Sequence, residues 1–238
     1  MKQILSQIIS FVFPITCSAC GADLPASSTE RVCDTCKDSL VKNDGLVCAK
    51  CGEFLPDGGE FCFKCRADKK RFHFDLLRSA YIYKDTLRKL VLKFKYSDRA
   101  FLAKTFSQEM THTLIRSGFN SKTDLIIPVP LNIVRRVKRG YNQAALLADE
   151  IAQNVSKPVI KGVLARKRIT RPQFKLTREK RFKNIENSFT VKDAKAIKNK
   201  NILLIDDVAT TCATASACAK VLKQSGASRV FVLTLARD

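Results

Sequence analysis

Two adjacent carboxylates followed by small hydroxyl residues stand near the end of the 238-residue sequence. An apolar run, 202–205, leads into Asp206 and Asp207 and predicts a buried strand of a parallel sheet, a class whose ligands bind beyond the carboxyl ends of strands. The small residues of 209–214 then predict a loop that opens a helix over 215–224. Free N–H groups and the dipole at such a helix start favour a phosphate, and hydroxyl donors are supplied by Thr210, Thr211 and Thr214.

Paired acids beside a phosphate-binding loop are suited to ribose hydroxyls, held directly or through a divalent cation. We therefore expect a sugar-phosphate site here. The alternative is a buried strand whose two acids merely cap the following helix.

Eight of the ten cysteines lie before residue 66 as four Cys-x-x-Cys pairs. Two such pairs complete a closed tetrahedral zinc site, and eight sulfurs suit two structural Zn²⁺ ions. A disulfide scaffold belongs to secreted chains, and the first residues do not have the pattern of an export signal, so we expect zinc in a reducing cytosol. The predicted zinc ligands are Cys17, Cys20, Cys33, Cys36, Cys48, Cys51, Cys62 and Cys65.

An internal repeat indicates how the pairs combine. The segment Cys-Ser-Ala-Cys-Gly-Ala-Asp-Leu-Pro at 17–25 recurs as Cys-Ala-Lys-Cys-Gly-Glu-Phe-Leu-Pro at 48–56, and each copy precedes a further pair and a helix-like segment. The simplest scheme joins the first pair with the second and the third with the fourth. An interleaved arrangement remains open at this point.

Length and charge favour two domains, an N-terminal helix with a double four-cysteine zinc module over 1–70 and a larger domain over 71–238. Residues 1–70 hold nine Lys and Arg against nine Asp and Glu, so the whole net charge of +21 arises beyond residue 70. Segment 1–13 predicts a short amphipathic helix. No run approaches the roughly 18 apolar residues of a membrane span. We expect a cytoplasmic protein without stable membrane insertion.

Two basic clusters, 135–139 and 161–183, point to polyanions. Phe174 and Phe182 are interleaved with the second cluster, and cations with planar rings suit single-stranded nucleic acid. A solvated charged face and core phenylalanines are the alternative interpretation. The predicted nucleic-acid-binding residues are Arg135, Arg136, Lys138, Arg166, Lys167, Arg168, Arg171, Lys175, Arg178, Arg181 and Lys183.

The larger domain alternates predicted strands and helices, which is typical of an α/β parallel sheet. We expect helices near 85–94, 99–115 and 143–155, with a loop carrying the 135–139 cluster before the last. Strands are expected at 78–83, 124–130, 159–164, 189–191 and 230–235. The long basic connection after 166 predicts a lid that closes over a bound phosphosugar.

The segment 201–214 resembles the phosphoribosyl-pyrophosphate (PRPP) signature of type I phosphoribosyltransferases. Together with the cysteine pairs, the Pro-Val-Pro of 128–130, the Arg-Gly-Tyr-Asn-Gln of 139–143 and the motifs at 170–173 and 181–184, it makes the whole chain similar to the ComF competence family. The resemblance implies a type I phosphoribosyltransferase-like parallel sheet with helices on both faces, preceded by the small four-cysteine zinc module.

The resemblance also implies roles for individual residues. Asp206 and Asp207 would be the catalytic acids that hold ribose and Mg²⁺, while the loop would bind the 5′-phosphate of PRPP. One departure is Cys212, with Ala213 next to it, where the signature usually has Gly that permits positive φ and close approach. The implied PRPP-binding residues are Asp206, Asp207, Ala209, Thr210, Thr211, Cys212, Ala213, Thr214, Val129, Pro130, Arg139, Asn142 and Gln143.

Three functions follow as hypotheses. The first is a cytosolic protein of natural transformation that binds single-stranded DNA through its basic face and PRPP with Mg²⁺ at the acidic loop. The second is an active phosphoribosyltransferase acting on a base or amine. The third is a zinc-dependent adaptor for DNA-uptake or helicase proteins with a vestigial phosphosugar site. A helix start also lowers the pKa of a thiol, so a catalytic role of Cys212 as a nucleophile is a further hypothesis.

Overall fold

The computed structural model describes residues 15–68, 70–97, 99–167, 185 and 187–238. Its centre is a four-stranded, entirely parallel sheet with the strand order β1-β6-β5-β2. A separate two-stranded antiparallel sheet pairs β3 with β4. The strands are β1 (Leu76–Ile82), β2 (Leu125–Pro128), β3 (Leu164–Arg166), β4 (Phe189–Val191), β5 (Asn201–Ala209) and β6 (Arg229–Arg237).

In the part of the chain that the structure describes, two short α-helices belong to the cysteine-rich part and six lie around the sheet. Among the residues that the structure describes, no helix combines the length and the apolarity needed to cross a lipid bilayer. The helices are α1 (Asp34–Asp38), α2 (Phe63–Ala67), α3 (Asp85–Tyr96), α4 (Leu102–Arg116), α5 (Phe119–Lys122), α6 (Ile133–Arg139), α7 (Gln143–Val155) and α8 (Ala213–Gln224).

Alternate residues of the parallel strands enter two hydrophobic clusters, one on each face, because successive strand side chains point in opposite directions. On one face Leu204 and Val232 pack with helix α8. On the other face Leu203 packs with helices α3, α4 and α7, through residues that include Leu90, Phe106 and Leu147. The predicted α/β class, with a parallel sheet and helices on both faces, is therefore confirmed.

The two cysteine-rich units lie on opposite faces of the sheet. Ribbon 1, which spans residues 15–40, buries Cys17 and Val32 in the cluster of α3, α4 and α7. Ribbon 2, which spans residues 45–68, buries Cys48 and Cys51 in the cluster of α8. Both units thus extend the core of the sheet, which gives these small segments more buried apolar surface than either could provide alone.

The segment between the ribbons runs antiparallel along the edge strand β1. The Ile82 N–H donates to the Val41 carbonyl and the Asn43 N–H to the Ala80 carbonyl, both at 2.9 Å. These bonds satisfy backbone groups that an open sheet edge would otherwise expose.

The structure corrects several predicted boundaries. The 135–139 cluster lies on helix α6, not in a loop, because the Asn132 side chain caps the helix start and Gly140, at φ +75°, ends it. The predicted strand 159–164 is reduced to a single bridge at Val159, since Gly162 at φ +85° turns the chain away before β3 begins. Strand β5 continues through the two acids to Ala209, and helix α8 begins at Ala213.

The predicted helix over 1–13 lies outside the described residues. So do six of the predicted nucleic-acid-binding residues and most of the predicted lid. Those six are Arg168, Arg171, Lys175, Arg178, Arg181 and Lys183.

Gly52 gives a direct test of how ribbon 2 packs on the sheet. It adopts φ +64°, and a Cβ there would lie 2.7 Å from the Leu77 carbonyl oxygen. Gly21, its counterpart in ribbon 1, adopts φ +82°, but a Cβ added there would meet nothing within 4 Å. We expect Gly52→Ala to lower the free energy of unfolding by about 2–3 kcal/mol and Gly21→Ala by about 1 kcal/mol, measured by denaturant titration of zinc-loaded protein. Equal losses would contradict the close approach of ribbon 2 to β1.

Candidate functional site

The eight predicted zinc ligands form two clusters, Cys17, Cys20, Cys33 and Cys36 in ribbon 1 and Cys48, Cys51, Cys62 and Cys65 in ribbon 2. The sequential pairing scheme is thus the observed one. Within each cluster the four sulfurs lie within 4.8 Å of one another. The Cys20–Cys33 and Cys51–Cys62 sulfurs are 3.8 and 3.6 Å apart, close to the roughly 3.8 Å spacing that a tetrahedral zinc with Zn–S bonds near 2.3 Å requires.

The electrostatics of both clusters fit a bound cation. Burial disfavours charge on Cys17 and Cys48, but backbone N–H donors lower the pKa of Cys17 to about 6 and the pKa of Cys48 to about 7. Burial and neighbouring sulfurs raise the pKa of Cys36 and the pKa of Cys51 to about 12. Four thiolates therefore coexist only when a metal ion neutralises them.

A cleft of about 260 Å³ opens at the carboxyl ends of strands β2 and β5. Asp206 and Asp207 line it together with Thr210 and Thr214 of the following loop. The β2 side contributes Val129 and Pro130, and helices α6 and α7 contribute Arg135, Arg139, Asn142 and Gln143. Ligands of parallel α/β sheets bind at this edge, so the position of the cleft agrees with the site expected from the sequence.

The two acids sit on consecutive positions of β5, and Asp207 forms an ion pair with a lysine of a neighbouring helix. The Lys95 ammonium, from helix α3, lies 3.0 Å from an Asp207 oxygen. Burial, followed by the charge of Asp207, raises the pKa of Asp206 to about 7, although Lys95 and Arg166 act in the opposite direction. Paired carboxylates with such a shift are typical of sites that bind a cation or move a proton.

Arg166, at the end of β3, lines the cleft although the sequence assigned it to nucleic acid. Its guanidinium lies 5.4 Å from the centre of the Phe189 ring. Burial and the nearby Arg135 charge lower its pKa. Arg166 and Arg135 thus bring positive charge to a cleft that also contains two carboxylates, an arrangement suited to a ligand carrying both phosphate and hydroxyl groups.

The Arg-Gly-Tyr-Asn-Gln segment organises one wall of the cleft. The Tyr141 hydroxyl and the Gln143 amide donate to the Phe94 carbonyl at 2.6 and 3.3 Å, which satisfies a carbonyl in the last turn of α3. Arg139 donates to the Gln143 side chain at 3.1 Å and to the Tyr96 hydroxyl at 3.1 Å. The segment therefore fixes the end of α3, the helix that carries Lys95.

Asn142 has a structural role of its own. Its side-chain oxygen accepts from the Ala144 N–H at 3.2 Å and caps α7, and its amide donates to the Val129 carbonyl at 3.0 Å. It joins α7 to the end of β2. Gln143 is buried, with 1% of its surface exposed, so both side chains shape the cleft while their polar groups are engaged within the protein.

The loop between β5 and α8 carries the departure noted in the sequence. Cys212 adopts φ +59°, the left-handed conformation that Gly would adopt without strain. Its side chain is buried in the cluster of ribbon 2 and does not line the main cleft, so it leaves the main cleft open. Burial raises the pKa of the Cys212 thiol to about 11, which argues against a nucleophilic thiolate.

The remaining predicted loop residues, Ala209, Thr211, Cys212 and Ala213, line a smaller hollow of about 30 Å³ beside the cleft. This hollow shares Asp206, Thr210 and Thr214 with the main cleft. The N-cap Cys212 offers no side-chain acceptor to α8. The Ala213 N–H donates to the Thr211 hydroxyl at 3.4 Å, and the amides that follow it in the first turn are suited to an anion.

Sequence reasoning missed Lys95 and Tyr83, which line the cleft from α3 and from the end of β1. Neither belongs to a local motif; Lys95 reaches the site only because α3 folds back beside β5. The predicted nucleic-acid residues are divided, since Arg135 and Arg166 face the cleft whereas Arg136, Lys138 and Lys167 are exposed outside its lining.

Comparisons with known proteins cover most of the chain. A family model described as the double zinc ribbon domain matches residues 8–66, which supports zinc at both clusters. The competence protein ComFC of Bacillus subtilis (strain 168) is 30% identical over 215 residues, which are 88% of this chain and 85% of that protein. Competence protein F of Haemophilus influenzae is 26% identical over 230 residues, which are 94% of this chain and 98% of that protein.

Among solved structures, the chain is similar to the glutamine phosphoribosylpyrophosphate amidotransferase from B. subtilis complexed with ADP and GMP. The TM-score is 0.42 at 15% identity, over 60% of this chain and 30% of that one.

The raised pKa of Asp206 predicts a pH-dependent stability. In the folded protein Asp206 holds its proton up to about pH 7. In the unfolded chain it has the ordinary aspartate pKa of 3.8 and loses the proton well below that pH. The free energy of unfolding should therefore fall as pH rises between about 4 and 8. Asp206→Asn should not show this fall. Its free energy of unfolding relative to wild type should rise by roughly 1–3 kcal/mol from pH 4 to pH 8, measured by denaturant titration without added magnesium.

The exposed Asp57 supplies the control, because Asp57→Asn removes a carboxylate outside the cleft. A stability difference between Asp206→Asn and wild type that does not change with pH would contradict the assigned environment of Asp206.

Proposed function

Because the chain belongs to the ComF family of competence proteins, we propose that it assists the uptake and use of DNA in the cytosol by binding PRPP with Mg²⁺ in the β2–β5 cleft and single-stranded DNA on the adjoining basic surface. The observation that carries the proposal is the convergence of two carboxylates, a hydroxyl-rich loop at a helix start and several cations at one strand edge.

Each part of PRPP has a matching set of groups in the cleft. Asp206 and Asp207 are suited to the ribose hydroxyls and to Mg²⁺, which prefers carboxylate oxygens. Thr210, Thr214 and the first amides of α8 suit the 5′-phosphate. The end of β2 and Arg139 are suited to the pyrophosphate, and bound Mg²⁺ would supply compensation for its negative charge.

Lys95 has a specific part in this proposal. Its ammonium lies 3.0 Å from an Asp207 oxygen and offsets negative charge of the two adjacent carboxylates. A divalent cation would take over that balance, which frees Lys95 to contact a phosphate oxygen. Lys95 thus has two partners in this proposal, the Asp207 carboxylate and a phosphate of the ligand.

The basic surface next to the cleft supports the nucleic-acid part of the proposal. Arg136 and Lys138 are exposed on helix α6, whose Arg135 and Arg139 line the cleft. The exposed Tyr96 ring lies 4.8 Å from the Arg139 guanidinium and 6.0 Å from the Lys138 ammonium. Cations around an accessible ring suit a single strand, whose phosphates and bases they contact respectively.

Calorimetry with PRPP and Mg²⁺ tests the cleft. We expect binding to wild type, and a loss of about tenfold or more in affinity for Asp206→Asn and Asp207→Asn, because each removes a carboxylate oxygen pair that holds the cation and the ribose. The control is Asp193→Asn, which removes an exposed acid outside the cleft lining.

Absence of heat from wild type would reject PRPP binding and favour the adaptor hypothesis. Release of pyrophosphate from the same mixture after a nucleobase or amine is added would instead establish the transferase alternative, which the proton-retaining Asp206 makes worth assaying.

Salt dependence tests the DNA surface. Replacing Arg135, Arg136 and Lys138 by glutamine should reduce the slope of log affinity against log salt for single-stranded DNA by about 2, because each lost phosphate contact contributes about 0.7. The control replaces three exposed cations at the amino ends of β5 and β6, the ends of the strands that lie away from the cleft: Lys195, Lys200 and Arg229. Equal slopes for the two triple variants would contradict a specific role of α6.

A further inference from the structure

Arg237, at the end of β6, connects this strand to the phosphate-binding loop 209–214 from outside the cleft. It stands opposite Ala209 in the β5–β6 ladder, at the end of both strands. Its guanidinium donates to the Ala209 carbonyl at 3.0 Å and also to the carbonyls of Thr210 and Asp238. Only 4% of its surface is exposed, and it is absent from the lining of the cleft. Arg237 therefore fixes the backbone of the loop without occupying ligand space.

The other side of the same guanidinium contacts ribbon 2. Its second terminal nitrogen lies 3.2 Å from a carboxylate oxygen of Glu53, which follows the zinc ligand Cys51 by two residues. Glu53 also accepts from the Lys64 ammonium at 3.1 and 3.2 Å, which holds its carboxylate in place. A partly buried, charge-assisted chain thus runs from the zinc ribbon through Glu53 and Arg237 to the loop.

Cys212 gives the loop a second attachment to ribbon 2. Its side chain belongs to the same buried cluster as Cys51 and Cys62, while its backbone holds the strained left-handed conformation. A non-glycine residue keeps such a conformation only where its surroundings fix it. Ribbon 2 and Arg237 supply those surroundings.

The internal repeat shows that this connection is specific to one ribbon. The Cys-x-x-Cys-Gly-Glu of ribbon 2 corresponds to Cys-x-x-Cys-Gly-Ala in ribbon 1, so Glu53 aligns with Ala22. Ribbon 1 packs on the opposite face of the sheet, away from the loop. The acid therefore occurs in the copy of the repeat that faces Arg237.

We propose that Glu53 and Arg237 are positioning residues through which zinc ribbon 2 sets the shape of the phosphate-binding loop, so that the fold of the ribbon and the affinity of the loop for a phosphorylated ligand are coupled. This inference rests on the proposed function of the cleft. It assigns ribbon 2 a part in ligand binding in addition to its packing against the sheet.

The test measures the loop separately from the ligand. In the full-length, zinc-loaded protein, amide hydrogen exchange of peptides covering 209–214 should rise about fivefold or more in Glu53→Gln and Arg237→Lys, while the zinc content stays at that of wild type. Calorimetry with PRPP and Mg²⁺ should show a loss in affinity of about fivefold or more in the same variants.

Two controls separate positioning from general destabilisation. Glu30→Gln removes an acid of ribbon 1 that pairs with Lys37, as Glu53 pairs with Lys64. Gly21→Ala lowers stability within ribbon 1 alone. Both should leave the exchange of 209–214 and the ligand affinity at wild-type values.

Unchanged loop exchange in both Glu53→Gln and Arg237→Lys, with zinc retained, would overturn the inference. Increased exchange in a protein whose wild type binds no PRPP would uphold the connection between ribbon and loop while rejecting the proposed ligand. If Arg237→Lys fails to fold, Glu53→Gln alone decides, because it removes a charge and keeps the shape of the side chain.

Discussion

Two neighbouring carboxylates at the end of a buried strand set the main electrostatic constraint on this molecule. Asp206 and Asp207 lie beside each other on β5, and burial, together with their like charges, raises the pKa of Asp206 to about 7. Such a pair is tolerated only when cations reach it. Lys95 comes from α3 and Arg166 from β3, so elements far apart in sequence must converge on one strand end. The Tyr141 and Gln143 contacts that fix the end of α3 serve this convergence.

The zinc ribbons extend the same scaffold on both sides. Ribbon 1 adds its buried residues to the cluster of α3, α4 and α7, and ribbon 2 adds its cysteines to the cluster of α8. The segment between them follows the edge strand β1, which makes the cysteine-rich part a cover for the sheet. Through Glu53 and Arg237 this cover also reaches the loop that follows the two acids. A short series of side-chain contacts therefore joins a structural metal site to the candidate ligand site.

Much of the architecture follows from local patterns. A helix was expected near 85–94, and the buried residues of α3, namely Leu87, Leu90, Val91 and Phe94, recur at helical spacing. The parallel direction of the sheet strands also follows from the sequence, because strands and helices alternate along the chain. The predictions were wrong where a single residue decided the local conformation. Asn132 and Gly140 delimit a helix where a loop was expected, and Gly162 ends an expected strand. Capping bonds and positive φ depend on one or two residues, which periodicity does not register.

The zinc ligands, the acidic pair and the hydroxyl-rich loop could all be identified from the order of residues, because each is a short motif whose chemistry depends on spacing along the chain. Which cations reach the acids, and which ribbon contacts the loop, depended instead on the packing of distant elements. Lys95 and Asp207 are 112 positions apart, and Glu53 and Arg237 are separated by 184. Such contacts arise only when the fold brings the carboxyl edge of the sheet, α3 and ribbon 2 together. The direction of the Cys212 side chain also depends on tertiary packing. Its burial against ribbon 2 stabilises a left-handed backbone conformation that a non-glycine residue alone disfavours.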